Sequence, residues 1–251
     1  MLVGERRDFL LARLAADGKV LAKDVAAELG VSEDSIRRDL RDLAAAGLCQ
    51  RVYGGALPVS PAVADYASRT AIAVDGKDRI AEVAAGLVRP GSTVILDGGT
   101  TTLAVAKALP RDLEATVVTH SPTVAVALLD HASVEVFLLG GRLFRHSAVT
   151  CGAAAAEAAQ AISADVFLLG VTGVHPEAGL TTGDAEEAAM KRTLARRAAD
   201  TYVLASAEKL GAASRFTVLP FSDIAGVITD ADESDQNVQK LAAAGVEIIL
   251  R

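Results

Sequence analysis

The sequence has no tryptophan, two cysteines, four histidines and only 4% aromatic residues among 251. Each scarcity excludes something. Cys49 and Cys151 by themselves cannot build a disulfide framework or an all-cysteine zinc site, and so few thiols fit a reducing compartment. His120, His131, His146 and His175 are scattered without the spacing of metal ligands, so no metal and no cofactor is expected. Long apolar runs are also missing. The longest uncharged stretch, residues 115–129, is interrupted by Ser121 and Pro122 and is shorter than the roughly 18 residues that a bilayer span needs. Glu5, Arg6, Arg7, Asp8 and Arg13 break up the first twenty residues, a pattern that excludes a secretory leader. The expectation is a soluble cytoplasmic protein with no membrane partner.

What is present is 51% hydrophobic residues and 23% charged residues, with a net charge of −7. That composition supports a large core and excludes a disordered chain. A net negative charge also argues against a generic polyanion binder, but its distribution says more than its total. Residues 1–57 hold nine Lys/Arg and nine Asp/Glu, whereas residues 58–251 hold sixteen and twenty-three. The shift predicts two domains, over 1–57 and 75–251, joined by a linker over 58–74. The linker opens on Pro58-Val59-Ser60-Pro61, where the prolines disfavour regular structure.

The first segment shows helical periodicity. Phe9, Leu10, Arg13 and Leu14 place a helix ending near Asp17-Gly18, and Val25 and Leu29 place a second over 22–29, closed by Gly30. Ser32 is a good N-cap for a third helix that ends near Ala46-Gly47, and Glu33 and Asp34 add acid to its first turn. On that third helix Ile36, Leu40 and Leu43 form one apolar stripe, and Arg37, Arg38 and Arg41 share the opposite face. Guanidinium forks match guanine edges and phosphate oxygens, and an α-helix fits the major groove. Helix, short turn and capped arginine-faced helix together make a helix-turn-helix. Cys49-Gln50-Arg51-Val52-Tyr53-Gly54-Gly55 reads as a strand and tight turn, a wing whose Arg51 can touch the DNA backbone. The competing reading is a solvated hairpin whose arginines pair with Asp34, Asp39 and Asp42.

The run Val31-Ser32-Glu33-Asp34-Ser35-Ile36-Arg37-Arg38-Asp39-Leu40, with Leu43, Gly47 and Arg51-Val52-Tyr53-Gly54-Gly55-Ala56, resembles the DNA-binding signature of the DeoR family of bacterial transcriptional regulators. Ser35 stands where that signature has threonine. The resemblance implies DNA contacts from Ser32, Ser35, Arg37, Arg38, Arg41, Arg51 and Tyr53.

The second segment alternates apolar strand-like runs (93–96, 116–119, 134–139, 166–169, 202–204, 226–229 and 246–250) with helical ones (78–88, 103–109, 123–129, 153–162, 185–199 and 237–244). This predicts a parallel sheet covered on both faces. Ligands of such sheets bind at the carboxyl ends of strands. Asp97-Gly98-Gly99-Thr100-Thr101-Thr102 lies at such an end: its glycines let backbone amides approach, its hydroxyls and a helix N-terminus can hold an anion, and Asp97 can accept from sugar hydroxyls. Thr119-His120-Ser121, Gly140-Gly141 with Arg142 and Arg145, Gly170, Gly173 and Lys209 follow other strands, and Glu187 and Lys191 share a helix face.

These loops also resemble the DeoR effector-sensing domain, through Arg69, Lys77-x-x-Ile80-Ala81, Leu96-Asp97-x-Gly99-Thr100-Thr101-Thr102, Leu139-Gly140-Gly141, Gly152, Gly179-Leu180-Thr181-Thr182, Glu187, Lys191, Lys209 and Thr229-Asp230. The resemblance implies a fold like ribose-5-phosphate isomerase, glucosamine-6-phosphate deaminase and the CoA transferases. The fold class expected for the whole chain is therefore an all-α winged helix-turn-helix followed by an α/β parallel-sheet domain. It further implies a repressor of sugar or sugar-alcohol catabolic genes, released from double-stranded operator DNA by a phosphorylated sugar. The effector-binding residues expected are Asp97, Gly98, Gly99, Thr100, Thr101, Thr102, Thr119, His120, Gly140, Gly141, Glu187, Lys191 and Lys209. Gly98, His120 and Glu208 depart from the family pattern, which has serine, asparagine and Asp-His-Ser at the matching places. A homo-oligomer, dimer or tetramer, is expected because one small head grips too few base pairs. The alternative is an aldose–ketose phosphate isomerase or deaminase with Asp97, Asp184 or Glu187 as base. That reading leaves the head without a role, so no catalytic residue is expected.

Overall fold

A computed structural model describes residues 2–250. The chain opens with α1 (Val3–Asp17), a short β1 (Val20–Leu21), α2 (Ala22–Leu29), α3 (Glu33–Ala45), β2 (Gln50–Val52) and β3 (Gly55–Leu57). The apolar stripes of the three helices meet over Leu10, Leu14, Val25, Ile36, Leu40 and Leu43. The strands form one antiparallel sheet in the order β1-β3-β2. Strand β1 was not visible in the sequence, because two residues are too few to show a period.

Residues 58–74 are less irregular than their prolines suggest. Val59 bridges to Ala213, Pro61–Val63 make a 3-10 turn capped by Ser60, and α4 (Tyr66–Thr70) is capped by Asp65. Proline suits the first position of a helical turn, and neighbouring sequence-distant groups supply the rest. Tyr66 donates to Thr123 and His146 bonds the carbonyl of Val63.

The remaining chain runs α5 (Val74–Ala85), β4 (Thr93–Leu96), α6 (Thr100–Ala108), β5 (Ala115–Thr119), α7 (Pro122–Ala127), β6 (Val134–Leu138), β7 (Arg142–Phe144), β8 (Val149–Cys151), α8 (Ala153–Gln160), β9 (Ala164–Gly170), β10 (Gly173–His175), β11 (Gly179–Thr182), α9 (Ala185–Ala195), β12 (Ala198–Leu204), β13 (Phe216–Thr217), β14 (Gly226–Thr229), α10 (Gln236–Ala243) and β15 (Ile248–Leu250). Seven strands form a parallel sheet in the order β15-β14-β12-β9-β4-β5-β6. Alternate strand residues enter two cores. Ile95, Val118, Phe167, Leu169, Val203 and Val227 join one with residues of α8, α9 and α10. Val94, Leu96, Val117, Leu168, Leu204 and Ile228 join the other with residues of α5 and α6. Burial on both faces explains the near-continuous apolar runs.

Helix α9 stops at Ala195 and the chain re-enters the sheet at Ala198, so the helix expected over 185–199 is too long. Residues 195–199 are alanines and arginines, which favour continuing the helix, and pairing of β12 with β9 overrides that preference. Helix α6 starts at Thr100 rather than 103, so the three threonines form its first turn. The strands of the two-stranded β7–β8 and three-stranded β10-β11-β13 sheets are too brief to announce themselves in sequence.

Candidate functional site

In the first unit Ser32 caps α3, accepting from the Ser35 amide at 3.2 Å, and the two hydroxyls bond each other at 2.8 Å. The apolar stripe turns α3 so that Arg37, Arg38 and Arg41 are exposed. Two of its acids are drawn the other way. Buried Asp39 bonds Arg6 of α1 and lies 3.6 Å from Arg7, which also bonds Asp42. Those two carboxylates are thus neutralised by α1, not by the arginine row. Arg37 bonds Glu33 at 2.6 Å, an exposed pair that costs little to open. Arg38 and Arg41 bond no side chain among the described residues. Arg51 is exposed on β2, and Tyr53 at the hairpin tip is fully exposed, at 104%. Glu33, Arg37, Arg51 and Tyr53 line one shallow groove between α3 and the hairpin.

In the second unit strand order reverses between β4 and β9: β5 and β6 continue one way, β12, β14 and β15 the other. The loops leaving β4 and β9 part there and open a crevice beyond the sheet. A cavity fills it, lined from β4 and α6 by Gly98 to Thr102, from β9 by Gly170 to Thr172, and by Lys77, Thr182, Glu187, Lys191, Glu208 and Lys209. Ala62, Arg69 and Ile72 close the remaining wall. Gly99 caps α6 with φ +121°, a conformation L side chains rarely adopt, and a Cβ on Gly98 would collide with Val149. Glycine is therefore required at both positions, at Gly99 by its backbone conformation and at Gly98 by its close packing on Val149.

Asp97 sits behind this cavity rather than on its wall. It is fully buried, with Oδ2 accepting from Lys191 Nζ at 2.5 Å and the Gly170 amide at 2.8 Å, and Oδ1 facing His120 Nε2 at 2.8 Å. Burial alone would raise its pKa. The Lys191 ammonium and the His120 hydrogen bond outweigh that and hold it at about 2. Lys191 also meets Glu187 at 3.5 Å. Burial disfavours its charge, but the two carboxylates reverse that and raise its pKa. Asp97 therefore positions Lys191 and has no lone pair turned to a sugar hydroxyl.

The other cations are less satisfied. Lys209 is buried, and nothing among the described residues hydrogen-bonds its Nζ. Burial first, and then neighbouring Arg69, Lys77 and Lys191, push it down to about 8 against the opposing pull of Glu208. Burial also lowers Arg69 and Lys77. Lys77 Nζ donates to the carbonyls of Arg69 and Ile72. Two buried polar atoms at this cavity, Thr101 Oγ1 and Arg69 Nε, have no partner among the described residues. Unpaired donors and buried ammonium groups around a helix N-terminus suit an anion.

The sequence expectation thus divides. Gly98, Gly99, Thr100, Thr101, Thr102, Glu187, Lys191 and Lys209 converge on one cavity. Thr119 and His120 are buried beneath it: His120 Nδ1 faces the Thr150 carbonyl at 2.9 Å, so no contact with a ligand hydroxyl is open to it. Gly140 and Gly141 are exposed before the β7–β8 hairpin and lie outside the cavity, as does Arg142, which pairs with Glu186. Arg69, Lys77, Thr172, Thr182 and Glu208 were not assigned to the site in advance. For Arg69 the signals are its place among the marks of the family resemblance and its being a cation in a segment that reads as linker. No group of three or more His, Cys, Asp or Glu among the described residues could hold a metal.

Family models match both units: one described as a DeoR-like helix-turn-helix domain over residues 6–62, and one described as a DeoR C terminal sensor domain over residues 72–231. The sequence is 33% identical to a protein of Escherichia coli O157:H7 provisionally named an aga operon transcriptional repressor, over 98% of this chain and 93% of that one. It is 32% identical to the HTH-type transcriptional regulator GlpR of Haloferax volcanii, over 99% and 98%. Ribose 5-phosphate isomerase A of Methanocaldococcus jannaschii aligns with 54% of each chain at 16% identity and a TM-score of 0.41.

Proposed function

The chain belongs to the DeoR family of transcriptional regulators, and from that premise we propose that it represses sugar-catabolic genes and leaves its operator when a phosphorylated sugar intermediate fills the β4–β9 crevice. The observation that carries this reading is that one cavity is lined both by Lys209, a buried residue whose ammonium has no hydrogen-bond partner among the described residues, and by the buried, unpaired Thr101 hydroxyl at the start of α6. A phosphate would take its hydrogen bonds from these groups, from Arg69 and from the first amides of α6. Glu208, whose second oxygen has no partner among the described residues, would accept from a sugar hydroxyl.

The crevice does not favour catalysis. Asp97 is spent on Lys191 and His120, Glu187 on Thr182 and Lys191, and Asp184 on capping α9. The three carboxylates that an isomerase or deaminase would use as a base are all committed.

On DNA, Arg38 and Arg41 would enter the major groove, Arg37 would join them on leaving Glu33, and Arg51 and Tyr53 would meet the backbone. Ser32 and Ser35 chiefly set the start of α3. One such head reads few base pairs, so a dimer or tetramer would present two or more to the operator. Release follows from the wall of the crevice. The segment carrying Ala62, Arg69 and Ile72 continues directly from β3 of the hairpin, and the turn Pro61–Val63 packs on the turn bearing Lys209. A ligand that draws Arg69 inward would displace the strand on which the head is mounted. It shifts the equilibrium only by its difference in affinity between the two arrangements, typically about 1–3 kcal/mol.

Thermal-shift measurement against a panel of sugar phosphates tests the site. A selective ligand raises the melting temperature by mass action, and Lys209→Ala removes that response. A variant that responds like the parent would show that the phosphate lies elsewhere.

A further inference from the structure

Among the cations of the crevice stands one carboxylate that the anion site does not need. Glu208 lies on the one-turn 3-10 helix Ala207–Lys209, next to the lysine that awaits the anion. It is held there deliberately. Fully buried Ser206 donates to its Oε1 at 2.6 Å, and the Ala207 amide donates to Asp230 Oδ1 at 2.9 Å, which anchors the turn. Asp230 is itself fixed by Arg79 at 3.0 Å. Glu208 Oε2 remains uncommitted among the described residues.

The charge count shows what this carboxylate does. Arg69, Lys77, Lys191 and Lys209 face Glu187 and Glu208, with Asp97 behind. Together they leave a single net positive charge when all are ionised. A bare dianion with no donor meets too little positive charge here, and on the same wall it meets a carboxylate that repels it. A phosphate carried on a molecule with hydroxyl or ammonium groups meets the same carboxylate as an acceptor. Unpaired acceptors reject ligands that lack the matching donor far better than apolar walls reject a change of size.

We propose that Glu208 is a specificity-determining residue of this crevice, reserving it for phosphate esters that bear hydrogen-bond donors close to the phosphate and excluding fully ionised anions that carry no donor, such as sulfate. The proposal rests on the anion-site reading above. Its test is calorimetric titration of the full chain with sulfate at pH 7.5, comparing the parent, Glu208→Gln, Lys209→Met and the double variant. Glutamine keeps the shape and the Ser206 hydrogen bond while removing the charge. Glu208→Gln is expected to bind sulfate at least about tenfold more tightly than the parent, and the double variant is expected to lose that gain. Equal sulfate affinity in parent and Glu208→Gln, with binding lost in Lys209→Met, would overturn the role of Glu208 and leave the anion site standing. No sulfate binding in Glu208→Gln would overturn both.

Discussion

Asp97 shows how one buried residue can be read correctly for place and wrongly for task. Its position at the end of β4 was legible from the strand-to-glycine boundary, but its commitment to Lys191 and His120 was not, because those partners lie 94 and 23 residues away. The carboxylate is held at about 2, below its ordinary 3.8. A depressed carboxylate contributes stability that is complete above its unfolded value and is lost as pH falls through the folded one. Asp97→Asn leaves Lys191 with Glu187 only, and breaking a buried pair in this way costs roughly 3 kcal/mol. Urea unfolding at a series of pH values should show this deficit undiminished at pH 7, shrinking as the parent is acidified from pH 4 towards 2. A deficit independent of pH would mean that Asp97 is not ionised in the fold.

At the scale of elements, α3 and α6 are each defined by their first turn. Helix α3 was readable nearly whole, since its cap, its apolar stripe and its arginine face all lie within thirteen residues. What the sequence left open was which acids the arginines meet. Packing against α1 answers it, because Arg6 and Arg7 reach Asp39 and Asp42 from the far side. Arg38→Ala and Arg41→Ala should each weaken binding to a selected operator fragment by about 1–3 kcal/mol in gel-shift titration, while Arg6→Ala should act through stability of the head. Unchanged affinity in both α3 variants would remove α3 from the groove. Helix α6 began earlier than its apolar pattern suggests, as threonines carry little helix preference and only the close approach of Gly98 to Val149 fixes where the turn must be made.

For the whole molecule, the decisive contacts join the head, the connecting segment and the sheet. Lys19 beside β1 meets Glu177 of the β10–β11 turn at 2.6 Å, and Arg69 Nη2 donates to the His146 carbonyl at 2.8 Å. Arg69 is thus both a wall of the crevice and part of the strap to the head. Arg69→Gln is expected to keep operator affinity within about twofold, because it leaves the arginine face untouched, and to lose release by the sugar phosphate identified in the thermal-shift panel. Fluorescence anisotropy of labelled operator checks this, and normal release in the variant would sink the coupling route. The sequence by itself determined the two units, the arginine-faced helix, the parallel sheet and the glycine–threonine turn, because caps, periodicities and strand ends are local and repeat within a few residues. Tertiary structure alone decided which cations share the crevice, which carboxylates are already spent, and that the proline-rich segment is a wall rather than a tether. Those outcomes depend on the switch in strand order between β4 and β9, which brings residues more than a hundred positions apart to the wall of one cavity.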